Sequence, residues 1–194
     1  MARINQNSLM SLEAYAKARP EFRKQAIAHK ARRKIFVGDH VMLQFEDEIT
    51  VRYQIQEMLR IEKTFEEEGI QDELDAYTPL LPDGSNWKAT QAIEYSDVEE
   101  RKLKLVELKG LERHTYIQVG TQDRVYAIAD EDLPRENDEK TSAIHFLRFE
   151  LDASMVAAAK AGEPIAVGVD LPAYNIHVLE IAPETQTSLV DDLK

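Results

Sequence analysis

The sequence predicts an α+β protein: a mainly antiparallel sheet of about six or seven strands, with helices packed on one face and an N-terminal basic helical arm. Three observations predict it. Two long alternating runs, 115–130 and 164–181, are each broken only by turn residues, as hairpins are. Strands and helices do not alternate regularly, as a parallel sheet would require. The chain has 194 residues, 43% of them hydrophobic, which is enough for one sizeable core.

The elements follow in order. Ser11 caps a short helix to about Arg19, and Pro20 suits the first position of a second helix while biasing Arg19 away from helical torsions. That second helix, PEFRKQAIAHKARRK, has an apolar face of only Phe22, Ala26 and Ile27. HVMLQF alternates as a strand. Glu46, Asp47 and Glu48 then crowd a helix N-terminus, where the macrodipole favours anions. The helix is expected from Glu48 to Glu68, capped by a left-handed Gly69, with QDELDAY adding a turn or two. TPLLPDGSN is loop and WKATQAIEY a half-buried strand. SDVEERKLKLVELKG reads as a helix with a Ser96/Glu99 capping box and a terminal Gly110. A hairpin turns near Gly120, and EDLPRENDEK is a charged loop. SAIHFLRFEL is apolar on both faces and reads as a central strand. DASMVAAAKAG is a short helix, and the last hairpin turns at Leu171–Pro172. The expected organisation is a basic arm at 1–34, one α+β domain at 35–182 and a fraying polar tail at 183–194.

Charge divides the chain. Residues 1–34 carry nine Lys/Arg against two Glu, whereas the whole chain has a net charge of −12. A basic arm on an acidic body has three destinations: its own body, a partner chain, or nucleic acid, which the acidic body disfavours. Cysteine is absent, which removes disulfides, thiol catalysis and cysteine ligation of zinc or iron–sulfur clusters. MARINQNSLMSLEAY has no apolar signal core, and no apolar run is long enough to span a membrane. The reading is a soluble cytoplasmic protein.

Familiar catalytic motifs are missing. The five histidines show neither His-x-x-x-His nor Glu-x-x-His spacing, and no glycine-rich phosphate loop or Gly-x-Ser-x-Gly elbow occurs. One carboxylate stands out. On a wheel of about 100° per residue, Glu62 falls inside the stripe of Val51, Ile55, Met58 and Phe65, with Glu48 and Glu66 on its shoulder. A buried carboxylate needs a partner. Either Glu62 reaches an arginine such as Arg148 or a set of backbone donors, or it is a functional ligand or acid/base group, or the helix turns or ends differently. The candidate binding cluster is Glu57, Arg60, Glu62, Glu66, His145 and Arg148, with no metal site and no cofactor assigned. His145 also fits a satisfied core histidine. Glu66, Glu67 and Glu68 at a helix C-terminus oppose the macrodipole, so residues 23–34 are expected against them, in the same chain or a dimer mate.

RYQIQEMLRIEKTFEEEGIQDELDAYTPLLPDGSNWKATQAIEY and VYAIADEDLPRENDEKTSAIHFLRFEL resemble an uncharacterised bacterial family, number 3501 among the domains of unknown function. The resemblance implies a bacterial protein encoded near rubrerythrin-like proteins and iron–sulfur oxidoreductases. It implies an accessory partner of such a redox or iron-related system. Two functions therefore stand side by side: a homo-oligomeric, non-catalytic accessory or binding protein, and a small-molecule or metal-dependent enzyme with a carboxylate-lined site around Glu62.

Overall fold

The computed structural model describes residues 4–194, so the first three residues of the expected arm, Arg3 among them, lie outside the described residues. The chain forms two compact units, one from residues 4–32 and 46–81 and one from 33–45 and 82–194.

The first unit is helical. Helix α1, Leu12–Ala31, starts where the Ser11 hydroxyl accepts from the Ala14 amide. It continues through Pro20 instead of breaking into the two helices expected. Proline deletes one amide donor, but the orphaned carbonyl belongs to Ala16, which is exposed and can meet water. Contacts on both sides of the proline tie the halves down: Tyr15 packs edge-on against Phe22, and Arg19 grips Glu57.

Helix α2, Glu48–Glu62, opens with a reciprocal capping box between Asp47 and Thr50. It ends six residues sooner than expected, because Lys63 takes the left-handed conformation at φ 57°. A second helix, α3, spans Glu67–Tyr77. This corrects the reading of the triple glutamate. Glu66 is the N-cap residue of α3, and Glu67 and Glu68 fill its first turn, so the macrodipole favours these anions. Gly69 lies inside α3 and caps nothing.

Helices α1 and α2 run antiparallel: His29 meets Asp47 at one end, Phe22 meets Tyr53, and Met10, just before α1, bonds Gln56 near the other. The small core of this unit is Ile4, Val51, Ile55, Leu59 and Leu74. The buried stripe of α2 is thus Val51, Ile55 and Leu59, four residues apart. Residues 4–31 belong to this packed unit; the described residues do not form the separate arm expected.

The second unit corrects the single sheet to two, both antiparallel. One has the order β1-β2-β3-β7-β6, with β1 Lys34–Val37, β2 Val41–Glu46, β3 Asn86–Ile93, β6 Ile128–Ala129 and β7 Ile144–Glu150. The other has the order β5-β4-β8-β9, with β4 Thr115–Val119, β5 Val125–Tyr126, β8 Ile165–Leu171 and β9 Tyr174–Val178. The chain changes sheets at Ala127. Val125 and Tyr126 pair with β4, whereas Ile128 and Ala129 pair with β7. A period-two pattern continues through such a crossing unchanged, which is why 115–130 read as one hairpin.

The inward faces of both sheets share one core, which includes Trp87, Leu147 and Phe149 from the first and Ile117, Val167 and Val169 from the second. Strand β7 is paired on both sides, as a central strand should be. Its faces are nonetheless distinct: His145, Leu147 and Phe149 are buried, while Ile144 and Glu150 are exposed.

Helix α4, Val98–Glu107, is capped by Asp97 rather than Ser96, its carboxylate accepting from the Glu100 amide. It ends before Gly110, which instead introduces a short 3-10 turn. Helix α5 is Ala153–Lys160. The expected polar tail is a structured closure of the core. Helix α6 spans Pro183–Val190, Leu189 is fully buried, and Leu193 is 6% exposed. Arg33, 1% exposed, bonds Asp192 at 2.5 Å and the Ser188 carbonyl at 2.7 Å, and the Trp87 indole donates to the Leu189 carbonyl at 2.8 Å. A pattern that is polar overall conceals two apolar anchors and one buried ion pair.

Candidate functional site

The six candidate residues divide between the two units. In the first unit, Glu57 lies at the centre of a pinned network. Arg19 donates to both of its oxygens at 2.7 and 2.8 Å, the Tyr15 hydroxyl donates at 2.7 Å, and Arg60 stands 3.6 Å away. The Arg19 guanidinium holds the Glu57 carboxyl at about 2, while burial and then Glu57 push the Tyr15 phenol up. Such a carboxylate is committed to structure. Glu62 is exposed as the last residue of α2, because the helix ends before its stripe can be covered there. It faces Glu73, whose carboxyl is raised by burial and then by Glu62. Glu66 is exposed and makes no capping hydrogen bond.

The other two candidates belong to the second unit. Within its own unit Arg148 donates to both oxygens of Glu131 at 2.8 Å and to Glu150 at 2.5 Å. The Arg148 bond holds Glu131 below the usual carboxylate range. His145 is fully buried, with Nδ1 2.6 Å from Asp130 and Nε2 2.8 Å from Thr141 Oγ1 and 3.0 Å from the Ser142 carbonyl. Asp130 itself sits at φ 53° and accepts from the Phe146 amide at 3.0 Å. The pair therefore clamps both ends of the 131–141 loop to β7, the role of a satisfied core histidine.

Sequence reasoning missed a better candidate at the β1–β2 turn. Val37 pairs with Val41, leaving Gly38, Asp39 and His40 as a three-residue connection. Gly38 is at φ +72°, and a Cβ there would lie 2.5 Å from Ile176 Cδ1 and 2.7 Å from the Tyr174 hydroxyl. Only glycine fits this turn. The turn delivers His40 to an open cleft of about 620 Å³ lined by Asp39, His40, Ile93, Glu94, Tyr95, Ser96, Arg101 and Ala143.

His40 is held from several directions. Its ring stacks on Tyr95 with centroids 3.9 Å apart and planes 12° from parallel. Its Nδ1 lies 2.9 Å from the Glu94 carbonyl, and the Glu94 amide donates to the His40 carbonyl at 2.7 Å. Its own amide donates to the Tyr174 hydroxyl at 3.3 Å, which in turn donates to the Val37 carbonyl at 2.7 Å.

A carbonyl can only accept, so Nδ1 carries a proton and the neutral ring presents Nε2 as an acceptor. Among the described residues Nε2 has no hydrogen-bond partner. Burial raises the Tyr95 and Tyr174 phenols, so both remain protonated donors at neutral pH. Arg101 donates to the Tyr95 carbonyl at 3.2 Å, and among the described residues the rest of its fork has no partner. The arrangement offers one fixed acceptor, one guanidinium and the exposed carboxylates of Asp39 and Glu94 around an aromatic wall. The signal in the sequence was Gly-Asp between two alternating apolar runs, IFV and VMLQF, which marks a hairpin turn.

The chain matches a protein-family model, described as a protein of unknown function, DUF3501, over residues 3–193. It is also similar to a solved structure, a novel protein of unknown function from Burkholderia pseudomallei K96243. The two share 53% sequence identity over 99% of this chain and 100% of that one, with a TM-score of 0.95. No curated protein matches the chain. Among the described residues no helix is long and apolar enough to cross a membrane.

Proposed function

The chain belongs to the DUF3501 family, and we propose that it is a non-catalytic binding protein whose cleft at His40 takes a small polar molecule. One observation carries this reading: an imidazole fixed by stacking, by its backbone and through Nδ1 presents an unpaired Nε2 in a cleft large enough for a metabolite. Holding a ring this firmly costs conformational freedom, and that cost favours a ligand that needs a preformed acceptor.

The groups available set the ligand's character. It carries an N–H or O–H donor for Nε2 and an oxygen anion for Arg101, and Asp39 and Glu94 favour an additional positive group. A small zwitterion such as an amino acid satisfies all three. The family resemblance supports placing this activity in the bacterial cytoplasm, beside a rubrerythrin-like or iron–sulfur redox system, as its accessory partner.

Thermal-shift screening of the full chain against amino acids and related amines and carboxylates tests the proposal. A hit should raise the melting temperature of wild type and of the control His177→Ala, but of neither His40→Ala nor Arg101→Ala. A panel that leaves wild type unmoved, or a hit insensitive to both cleft substitutions, counts against it.

A further inference from the structure

The first unit holds a second cleft, of about 280 Å³, lined by Leu9, Met10, Leu12, Leu59, Phe65 and Ile70 among others. One of its lining side chains is left in the open: Phe65 is 73% exposed. Carboxylates surround this apolar surface. Glu13 lines the cleft, and Glu62, Glu66, Glu67 and Glu68 are exposed on the adjoining end of α2 and start of α3. Arg60 and Lys63 are the nearby cations in the sequence, so the region remains strongly acidic. An exposed aromatic in an acid-rimmed apolar cleft calls for a partner with a basic rim and an apolar centre.

The same chain carries such a surface. The second half of α1 exposes Arg23 and Lys24 beside Ile27, which is 48% exposed, and Arg32 is exposed just past its end. It cannot reach the acidic cleft of its own chain. The antiparallel packing of α1 on α2 sets His29 beside Asp47, at the first turn of α2, whereas α3 begins beyond the last. The 15 residues of α2 separate the two by about 20 Å. The complementary surface must come from another molecule.

We infer that two copies of this chain form a two-fold dimer in which the basic half of α1 of each seats Ile27 in the acid-rimmed cleft of the other. The contact is isologous, so each dimer holds two identical α1-to-cleft contacts and closes on itself. The apolar seat supplies most of the affinity and the charge rim sets orientation and partner choice.

Sedimentation velocity of the full chain over a concentration series tests this. Wild type is expected to dimerise. Phe65→Glu, at an exposed position that leaves the fold intact by circular dichroism, should weaken dimerisation more than tenfold. The charge-reversed chains Arg23→Glu/Lys24→Glu and Glu67→Lys/Glu68→Lys should each be monomeric alone. Mixed in equal amounts they should form a heterodimer, because one contact is then wild type and the other is reversed on both sides. A monomeric wild type, a dimer indifferent to Phe65→Glu, or a mixture that stays monomeric overturns the inference. Should a charge-reversed chain fail to fold, the Phe65→Glu result alone decides.

Discussion

Substituting Glu57 by Gln should destabilise the helical unit in a strongly pH-dependent way. The carboxylate takes two bonds from Arg19 and one from Tyr15, and its side chain is 13% exposed. The folded chain holds it at about 2 against an ordinary 4.5. At about 1.4 kcal/mol per pH decade that difference is about 3 kcal/mol, and solvent screening and the amide oxygen that Gln retains reduce the expected loss to about 2 kcal/mol. The sign follows from the depressed value. The stabilisation is complete above the ordinary 4.5 and disappears as pH falls through about 2. Urea titrations followed by far-UV circular dichroism should therefore show the gap between wild type and Glu57→Gln at full size near pH 7. The gap should shrink steadily below about pH 4.5 as wild type protonates. A loss under about 0.5 kcal/mol at neutral pH, or a gap that does not change with pH, would refute the assignment of Glu57 to a structural ion pair.

Other substitutions test other elements. Lys63→Gly relieves a left-handed residue at the end of α2 and should stabilise the chain by about 0.5–1 kcal/mol, read from the urea midpoint. Asp192→Ala removes a carboxylate that bonds the buried Arg33 guanidinium and should cost about 3 kcal/mol or more, or prevent folding outright; a chain truncated after Ala182 should behave likewise in thermal melts. Gly38→Ala drives a Cβ into Tyr174 and Ile176 and should cost about 2 kcal/mol or more while abolishing any ligand-induced thermal shift.

The fold class and most element positions were legible because they rest on short-range patterns. IHFLRFEL lies where a central strand was expected, and the Leu171–Pro172 turn joins β8 to β9. What was not legible rests on one residue's torsions or on distant pairing. Lys63 in the left-handed region ends α2 early, and that single turn exposes Glu62 and converts the triple glutamate from an unfavourable end to a favourable start. Lysine gives no local signal for it. The crossing at Ala127 and the anchoring of Asp192 by Arg33 join residues far apart in sequence, which periodicity does not register. At the cleft, the Gly-Asp turn could have been recognised, but the stack of His40 on Tyr95 joins two separate strands' ends.

The central claim is that His40 is a preformed acceptor awaiting a ligand, and the long-range proton–nitrogen NMR spectrum of its ring tests it most directly. At a pH where the ring is neutral, the expected pattern is a protonated Nδ1 and a bare Nε2, with the Nε2 resonance moving when a cleft ligand is added. A ring protonated at Nε2, or an Nε2 resonance untouched by every small zwitterion tried, would contradict it.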